Sequence, residues 1–288
     1  MRNLTLITLA TAGFSYAAVV FAVGNTESTL VKKIGLESVP LTNESELKRF
    51  VLNPSEPLSN KLLDYAWQNR ENIDNQKMIA SYLARKPNIP KNYDVAWKTA
   101  RLVYFIGNYG YGEKEFLDTE SGAQLFYYGI AAAQKATELN GKGIEGYYWY
   151  AYCQSAYGRA KSVLAMAANA NDAMPALRKA IELNPSYGNY GAERMLGFYY
   201  QEIPVIFGGS EDKALELIKS AVAKAPQDRS NWVALGQYYN HFGYYESGGQ
   251  ACKKALNVAN IDGEFEELRY MREAKECVDK AKSREMSN

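Results

Sequence analysis

Chemistry in this chain would have to come from one histidine, three cysteines, a few carboxylate pairs and two glycine-rich stretches. The single histidine, His241, excludes His-rich metal sites and leaves a Ser-His-Asp triad without support. It falls in the turn after a tyrosine-rich run, where a polar turn residue is expected. Glu211/Asp212 and Glu266/Glu267 lie at helix starts and on solvated faces. Nothing nearby desolvates two carboxylates together, as glycoside chemistry requires. Gly141-Lys142-Gly143-Ile144-Glu145-Gly146 matches the dinucleotide-binding glycine pattern but follows a helix instead of a strand, so it reads as a turn between repeats. Gly110-Tyr111-Gly112-Glu113 lacks the Lys-Ser/Thr of a phosphate loop. Cys153, Cys252 and Cys277 have no metal-ligand spacing; Cys252 and Cys277 are placed to pair if the compartment is oxidising. No nucleophile–base pair emerges, and neither a metal nor a cofactor is called for. The expectation is a protein that binds and does not catalyse.

The elements that must carry such binding are helical. From Ser59 onward the apolar spacing is helical almost throughout, with glycine and proline between runs. Self-comparison gives four matching units. Trp232-x-x-Leu235-Gly236-x-x-Tyr239 leads to Ala255, and Leu196-Gly197-x-x-Tyr200 leads through Ala214 and Ala221 to Pro226. Trp149-x-x-Tyr152-Cys153 leads through Ala173, Leu177 and Ala180 to Pro185, and Trp97-x-x-Ala100 to Ala136 and Gly141. This is the tetratricopeptide pattern, in which a large residue on one helix fills the space above small residues on the next. Proline stops the second helix because it donates no hydrogen bond and restricts the residue before it. One hairpin cannot bury its own apolar face, so stacking is obligatory. The fold predicted is all-α: a superhelix of helical hairpins over 58–282, with a degenerate leading unit at Asp64–Pro87, a charged capping helix at Glu264–Lys282 and a tail at 283–288. Against a norm of about 34 residues, the first three units carry about 16, 8 and 5 extra, all between the two helices of a hairpin. Such insertions are expected as loops on one edge.

Ahead of the repeats, Met1-Arg2-Asn3 precedes an uncharged, mostly apolar run from Leu4 to Ala22. Residues 1–24 read as a signal peptide ending near Val20-Phe21-Ala22 or as an uncleaved inner-membrane anchor. No cysteine follows, so lipid attachment there is not expected. Residues 25–57, with Pro40, Pro54 and Pro57, read as a polar tether containing a short helix near Glu44–Leu52. The localisation expected is periplasmic or exported. With 33 basic against 32 acidic residues, the chain lacks the basic excess of a nucleic-acid binder.

Tyrosine is the unusual component, at 23 residues. It offers a flat apolar body with one polar handle, suited to helix packing or to a binding surface. If the signature positions face neighbouring helices, an offset stripe lines the concave side. That stripe comprises Tyr147, Tyr150, Gln154 and Tyr157; Gly191, Arg194, Phe198 and Gln201; Val233, Gln237 and Asn240; and Val95, Lys98, Leu102 and Phe105. It is largely aromatic and apolar, with two cations and no carboxylate. Such a surface suits an apolar ligand with an anionic head, with Arg194 as the anchor because its fork can hold a carboxylate through two hydrogen bonds. Alternatively, Arg194 pairs with an acidic neighbour such as Glu202 and the tyrosines only pack.

The central block is more specific than a generic repeat. Gly146-Tyr147-Tyr148-Trp149-Tyr150-Ala151, Asn184 to Ala192 with Tyr190, Arg194-Met195-Leu196-Gly197, Pro204, and Phe207-Gly208-Gly209 before Lys213-Ala214-Leu215 carry the likeness. Over roughly Trp97 to Leu256 the chain resembles the T-component (TatT-like) proteins of periplasmic TRAP transporters and, more faintly, the eukaryotic regulators of microtubule dynamics. The resemblance implies a trimer-forming accessory protein with an apolar cavity. It would work beside a substrate-binding protein in uptake of organic acids or hydrophobic ligands. Tyr148, Trp149, Tyr190, Gly197, Pro204, Gly208 and Gly209 would be its structural motif residues. The chain departs from the family's lipoprotein form in lacking the lipid-attachment cysteine. The competing reading is an envelope scaffold that binds a peptide or protein partner in its concave groove.

Overall fold

The computed structural model describes residues 58–85, 88–109, 120–258 and 264–285. The expected signal or anchor segment, the tether and its short helix, and most of the first insertion lie outside the described residues. Eleven α-helices are present there and no strand. They are α1 (Asn60–Gln68), α2 (Ile73–Arg85), α3 (Tyr93–Tyr109), α4 (Glu120–Leu139), α5 (Ile144–Lys161), α6 (Val163–Leu183), α7 (Gly191–Glu202), α8 (Glu211–Lys224), α9 (Arg229–His241), α10 (Tyr245–Leu256) and α11 (Glu264–Glu285).

Helix starts follow local chemistry. The side chains of Ser59, Ser162, Ser210 and Asp228 accept hydrogen bonds from the first-turn amides of α1, α6, α8 and α9. Glu211 and Asp212 add negative charge where α8 presents its positive end. Two expectations need correction. The extra residues of the second unit do not form a loop: they lengthen α5 and α6, which meet at the single residue Ser162. Proline does not always end a helix here, because α6 runs through Pro175. The third insertion does form an edge loop, with a 3-10 turn at Val205–Phe207.

From α2 onward each helix packs on the next, and the odd-numbered helices also touch one another in series: α1 on α3, α3 on α5, α5 on α7, α7 on α9, α9 on α11. They form the inner row of the superhelix. Between the layers, small residues let large ones in. Tyr199 and Tyr238 are completely buried, and an apolar side chain of that size contributes about 2 kcal/mol or more. Gly197 marks a close approach, since a Cβ there would stand 2.7 Å from Ile218 Cγ1. At Gly209 a Cβ would collide with the carbonyl oxygen of Ile203, 1.9 Å away. Gly208, at φ 96°, takes a left-handed backbone beside Pro204.

Two contacts tie the last helix into this row. Cys252 of α10 and Cys277 of α11 form a disulfide, with Cα atoms 6.0 Å apart. Arg70, in the turn after α1, meets Glu266 of α11 at 3.1 Å. The superhelix therefore brings its first and last units together.

Candidate functional site

The inner row encloses a cleft of about 280 Å³. Trp67 comes from α1, Arg101, Tyr104 and Phe105 from α3, and Tyr148, Trp149 and Tyr152 from α5. The segment before α7 supplies Tyr187, Gly188 and Asn189, and α7 itself supplies Arg194. Asp228 and Ser230 at the start of α9, with Glu266 and Tyr270 of α11, complete the wall.

Arg194 is set by a strained turn. Gly188, Asn189 and Tyr190 all have left-handed backbones, with φ of 59°, 53° and 63°. For Tyr190 this costs about 1–2 kcal/mol. The surroundings hold it in place. Asn231, completely buried, donates its amide to the carbonyls of Asn189, Ala221 and Ala225, each at 3.2 Å. The Tyr152 hydroxyl donates to the carbonyl of Gly191 at 3.0 Å. Tyr148 reaches under the turn, where a Cβ on Gly188 or Gly191 would lie 2.6 or 2.3 Å from its hydroxyl. The Arg194 guanidinium then donates to Asn231 Oδ1 at 2.5 Å and to the Tyr152 hydroxyl at 3.4 Å. Both acceptors are neutral, and no carboxylate among the described residues forms an ion pair with it.

Arg101 is the second cation. Its guanidinium lies over the rings of Trp67 at 4.0 Å and Trp97 at 4.8 Å. Its Nε is buried without a hydrogen-bond partner. Burial pulls its pKa down to about 10; Tyr187 and Asp64 oppose that shift and the charge of Arg70 adds to it. Arg194 moves the other way: burial disfavours its charge, but Tyr152 and then Asp228 outweigh that and raise its pKa. Both remain charged at neutral pH.

The carboxylates of the cleft are already engaged. Glu266 pairs with Arg70. Asp228 accepts from the amide of Ser230 at 2.8 Å and from its hydroxyl, capping α9. The rings between the cations are closely packed. Tyr148 stacks on Tyr152 at 4.3 Å, and Tyr104 meets Tyr152 edge-on at 5.2 Å. Burial raises the pKa of Tyr148 well above 10, so it stays a neutral phenol.

Of the offset stripe, the structure brings Arg194 and Phe105 to the cleft and takes the others elsewhere. Gln154 donates to the Tyr150 hydroxyl at 3.0 Å, and its own backbone carbonyl accepts from Asn169 of α6. Tyr157 packs on Tyr127 of α4, and Tyr147 bonds to the carbonyl of Gly141. Phe198 joins the central core, and Gln201 bonds to Glu202. Lys98 pairs with Asp64 at 2.8 Å, Gln237 is exposed, and Asn240 is buried against the carbonyl of Cys277. Val95, Leu102 and Val233 are core residues, and Gly191 adjoins Tyr148. On α5 the register is off by one position, about 100° of helix rotation. The signature residues Tyr148, Trp149 and Tyr152 face inward instead. Of the other motif residues, Tyr190 caps α7 and Gly197, Pro204, Gly208 and Gly209 shape hairpins. Arg194 pairs with neither Glu202 nor any carboxylate near Glu193; Glu193 itself binds Lys224 at 2.7 Å.

Sequence reasoning missed Arg101, Asn231, Trp67 and the contribution of α11. Arg101 follows the signature alanine Ala100, and Asn231 precedes the signature tryptophan Trp232, so the signal that could find both lies in the positions flanking the motif. Among the described residues, no cluster of three or more histidine, cysteine or acidic side chains is placed to hold a metal ion.

Among solved structures, a thermophilic tetratricopeptide-repeat protein of Thermus thermophilus is similar over 77% of this chain and 98% of its own, at 18% identity and a TM-score of 0.50. Two structures of MamA align over 70% and 72% of this chain and 98% and 96% of theirs, at 20% and 22% identity and TM-scores of 0.38. The first supports the repeat fold and nothing finer. No curated protein matches. The profile of the family described as regulator of microtubule dynamics protein 1-3 matches residues 63–282, most of the repeat domain from α1 to α11. With that span matched, the chain belongs to the regulator of microtubule dynamics protein 1-3 family.

Proposed function

We propose that this chain is a non-catalytic, exported binding protein of the cell envelope whose cleft holds an organic acid with an apolar body. One observation carries the reading: Arg194 is hydrogen-bonded by neutral partners, makes no ion pair with a carboxylate among the described residues and faces a cleft walled by aromatic rings. A desolvated cation with no carboxylate in contact favours an anion from outside, and the rings supply the apolar contact. The Cys252–Cys277 disulfide supports export, since such bonds persist in oxidising compartments. In the T-component-like role, the protein would receive its ligand from, or pass it to, a substrate-binding protein of an uptake system.

Calorimetric titration with aryl carboxylates tests the site. Arg194→Met is expected to weaken binding at least tenfold, while leaving the buried Asn231 Oδ1 unmatched costs about 1–3 kcal/mol in a variant that still folds. Unchanged affinity in a folded variant rejects the cleft as the ligand site.

A second reading, a scaffold for a protein partner, is favoured by a different surface. Val163 and Leu164 on one hairpin tip and Val205, Ile206 and Phe207 on the next are exposed, Ile206 to 85%. Exposed apolar side chains grouped along an edge in this way are a protein-contact signature. They would serve a binding-protein partner or the trimer that the T-component resemblance implies. Light scattering of the wild type and of Ile206→Asp distinguishes self-association from a monomer.

A further inference from the structure

We infer that Arg101 forms a second anion subsite in the cleft, so that the ligand is a dianion: an apolar or aromatic body carrying two acidic groups, one for Arg194 and one for Arg101. This rests on the cleft being the ligand site and adds the ligand's charge and a second point of attachment.

Arg101 differs from the other arginines around it in having no hydrogen bond to any described residue. Trp67 and Trp97 lie against its guanidinium carbon, and such cation–π contacts use none of its N–H donors. One of them, on Nε, is buried with nothing to donate to. A buried donor left unmatched is costly, and more so on a charged group. The acids that could relieve it are engaged: Asp64 binds Lys98 at 2.8 Å and Glu266 binds Arg70 at 3.1 Å. Asp228 is spent on the α9 cap. Arg70, a like charge over the same Trp67 ring at 4.3 Å, adds repulsion that an anion would offset. The cleft therefore carries two positive charges that make no direct ion pair with a described carboxylate, on α3 and on α7, with Tyr104, Tyr148 and Tyr152 lining the same space. A cleft of about 280 Å³ admits one ring or a short apolar chain with an acid at each end. A monoacid would satisfy Arg194 and leave Arg101 as it is.

The test is calorimetry on the full chain with benzoate, terephthalate and a biphenyl dicarboxylate beside its monoacid. At least one diacid is expected to bind tenfold or more tightly than its monoacid, beyond the doubling that two equivalent heads give. Arg101→Met should abolish that advantage, whereas Arg194→Met should weaken both classes. Arg101→Lys, which keeps the charge but loses the planar fork, should retain part of the advantage. Equal binding of monoacids and diacids by the wild type overturns the second subsite while leaving the cleft reading intact. If no acid binds, the cleft reading fails and the subsite fails with it. Should Arg101→Met not fold, Arg101→Lys and the wild-type ratio decide the matter.

Discussion

Arg194 and Arg229 stand in the first turns of successive inner helices and are used in opposite ways. Arg229 is buried and closed off. It holds both oxygens of Glu267, at 2.9 and 2.7 Å, and donates to the carbonyls of Ala255 and Val258 and to the sulfur of Met271. Its charge is matched and its donors are consumed inside the fold. Arg194 has an amide, a phenol and an open cleft. A guanidinium locked to a carboxylate serves assembly, in this case the seating of α11 on α9 and α10. One supported only by neutral groups keeps its charge available.

The largest expected effect tests the closed side of this contrast. Arg229→Met strands Glu267 beside buried carbonyls and should cost about 3–5 kcal/mol in denaturant melts. Arg194→Met, measured alongside, should cost less, about 1–3 kcal/mol for the unmatched Asn231 oxygen. Equal losses would erase the distinction between the two arginines. Next in size is the staple that holds the same helix. Replacing Cys252 and Cys277 together by serine should cost about 3 kcal/mol, given a closed loop spanning 25 positions. Adding reductant should bring the wild-type melt down to that of the variant. A melt insensitive to reductant would mean that α11 is held by packing and the Arg229–Glu267 pair alone.

The smallest effect at neutral pH, growing only in alkali, probes the open side. Tyr148 and Tyr152 have folded pKa values raised by burial above the unfolded value of 10.0. A raised pKa contributes stability that is fully present below pH 10 and is lost as pH climbs toward the folded pKa. Stability should therefore be flat through neutrality and fall above pH 10. Phenolate absorbance from the cleft tyrosines should appear together with the loss of helicity. Tyr148→Phe should make the alkaline decline shallower. Phenolate formation in the cleft at full helicity would show that it is wetter than the packing implies.

The fold was legible because repeat spacing is set by geometry that every hairpin shares. Trp232, Leu235, Gly236 and Ala255 read as a unit without any tertiary information, and so did the charged run that became α11. Arg194, singled out in the sequence for its fork, does line the cleft. The rest of the cleft was not legible, for two physical reasons. An error of one residue on α5 rotates every side chain by about 100°, enough to put Tyr147 where Tyr148 belongs. The other residues, Trp67, Arg101, Asn231 and Tyr270, meet only because the superhelix curves back on itself, which no local pattern encodes. The extra residues in the second unit misled for a related reason: length alone does not distinguish a loop from two longer helices.

The meeting of Arg70 with Glu266, 196 positions apart, changes what kind of object a stack of repeats is. An open stack behaves as a line: its ends fray, units can be added, and neighbours communicate only in sequence. Joining the ends turns the line into a loop with a fixed number of members. A disturbance in the leading unit then has two routes to the capping helix, one through every hairpin and one directly across the seam. Inserting or deleting a repeat would misplace both partners of that seam. Folding inherits the same constraint. The seam is highly non-local, spanning 196 positions, and links the tip of the stack to its capping helix, which should make the leading unit fray less than the tip of an open array.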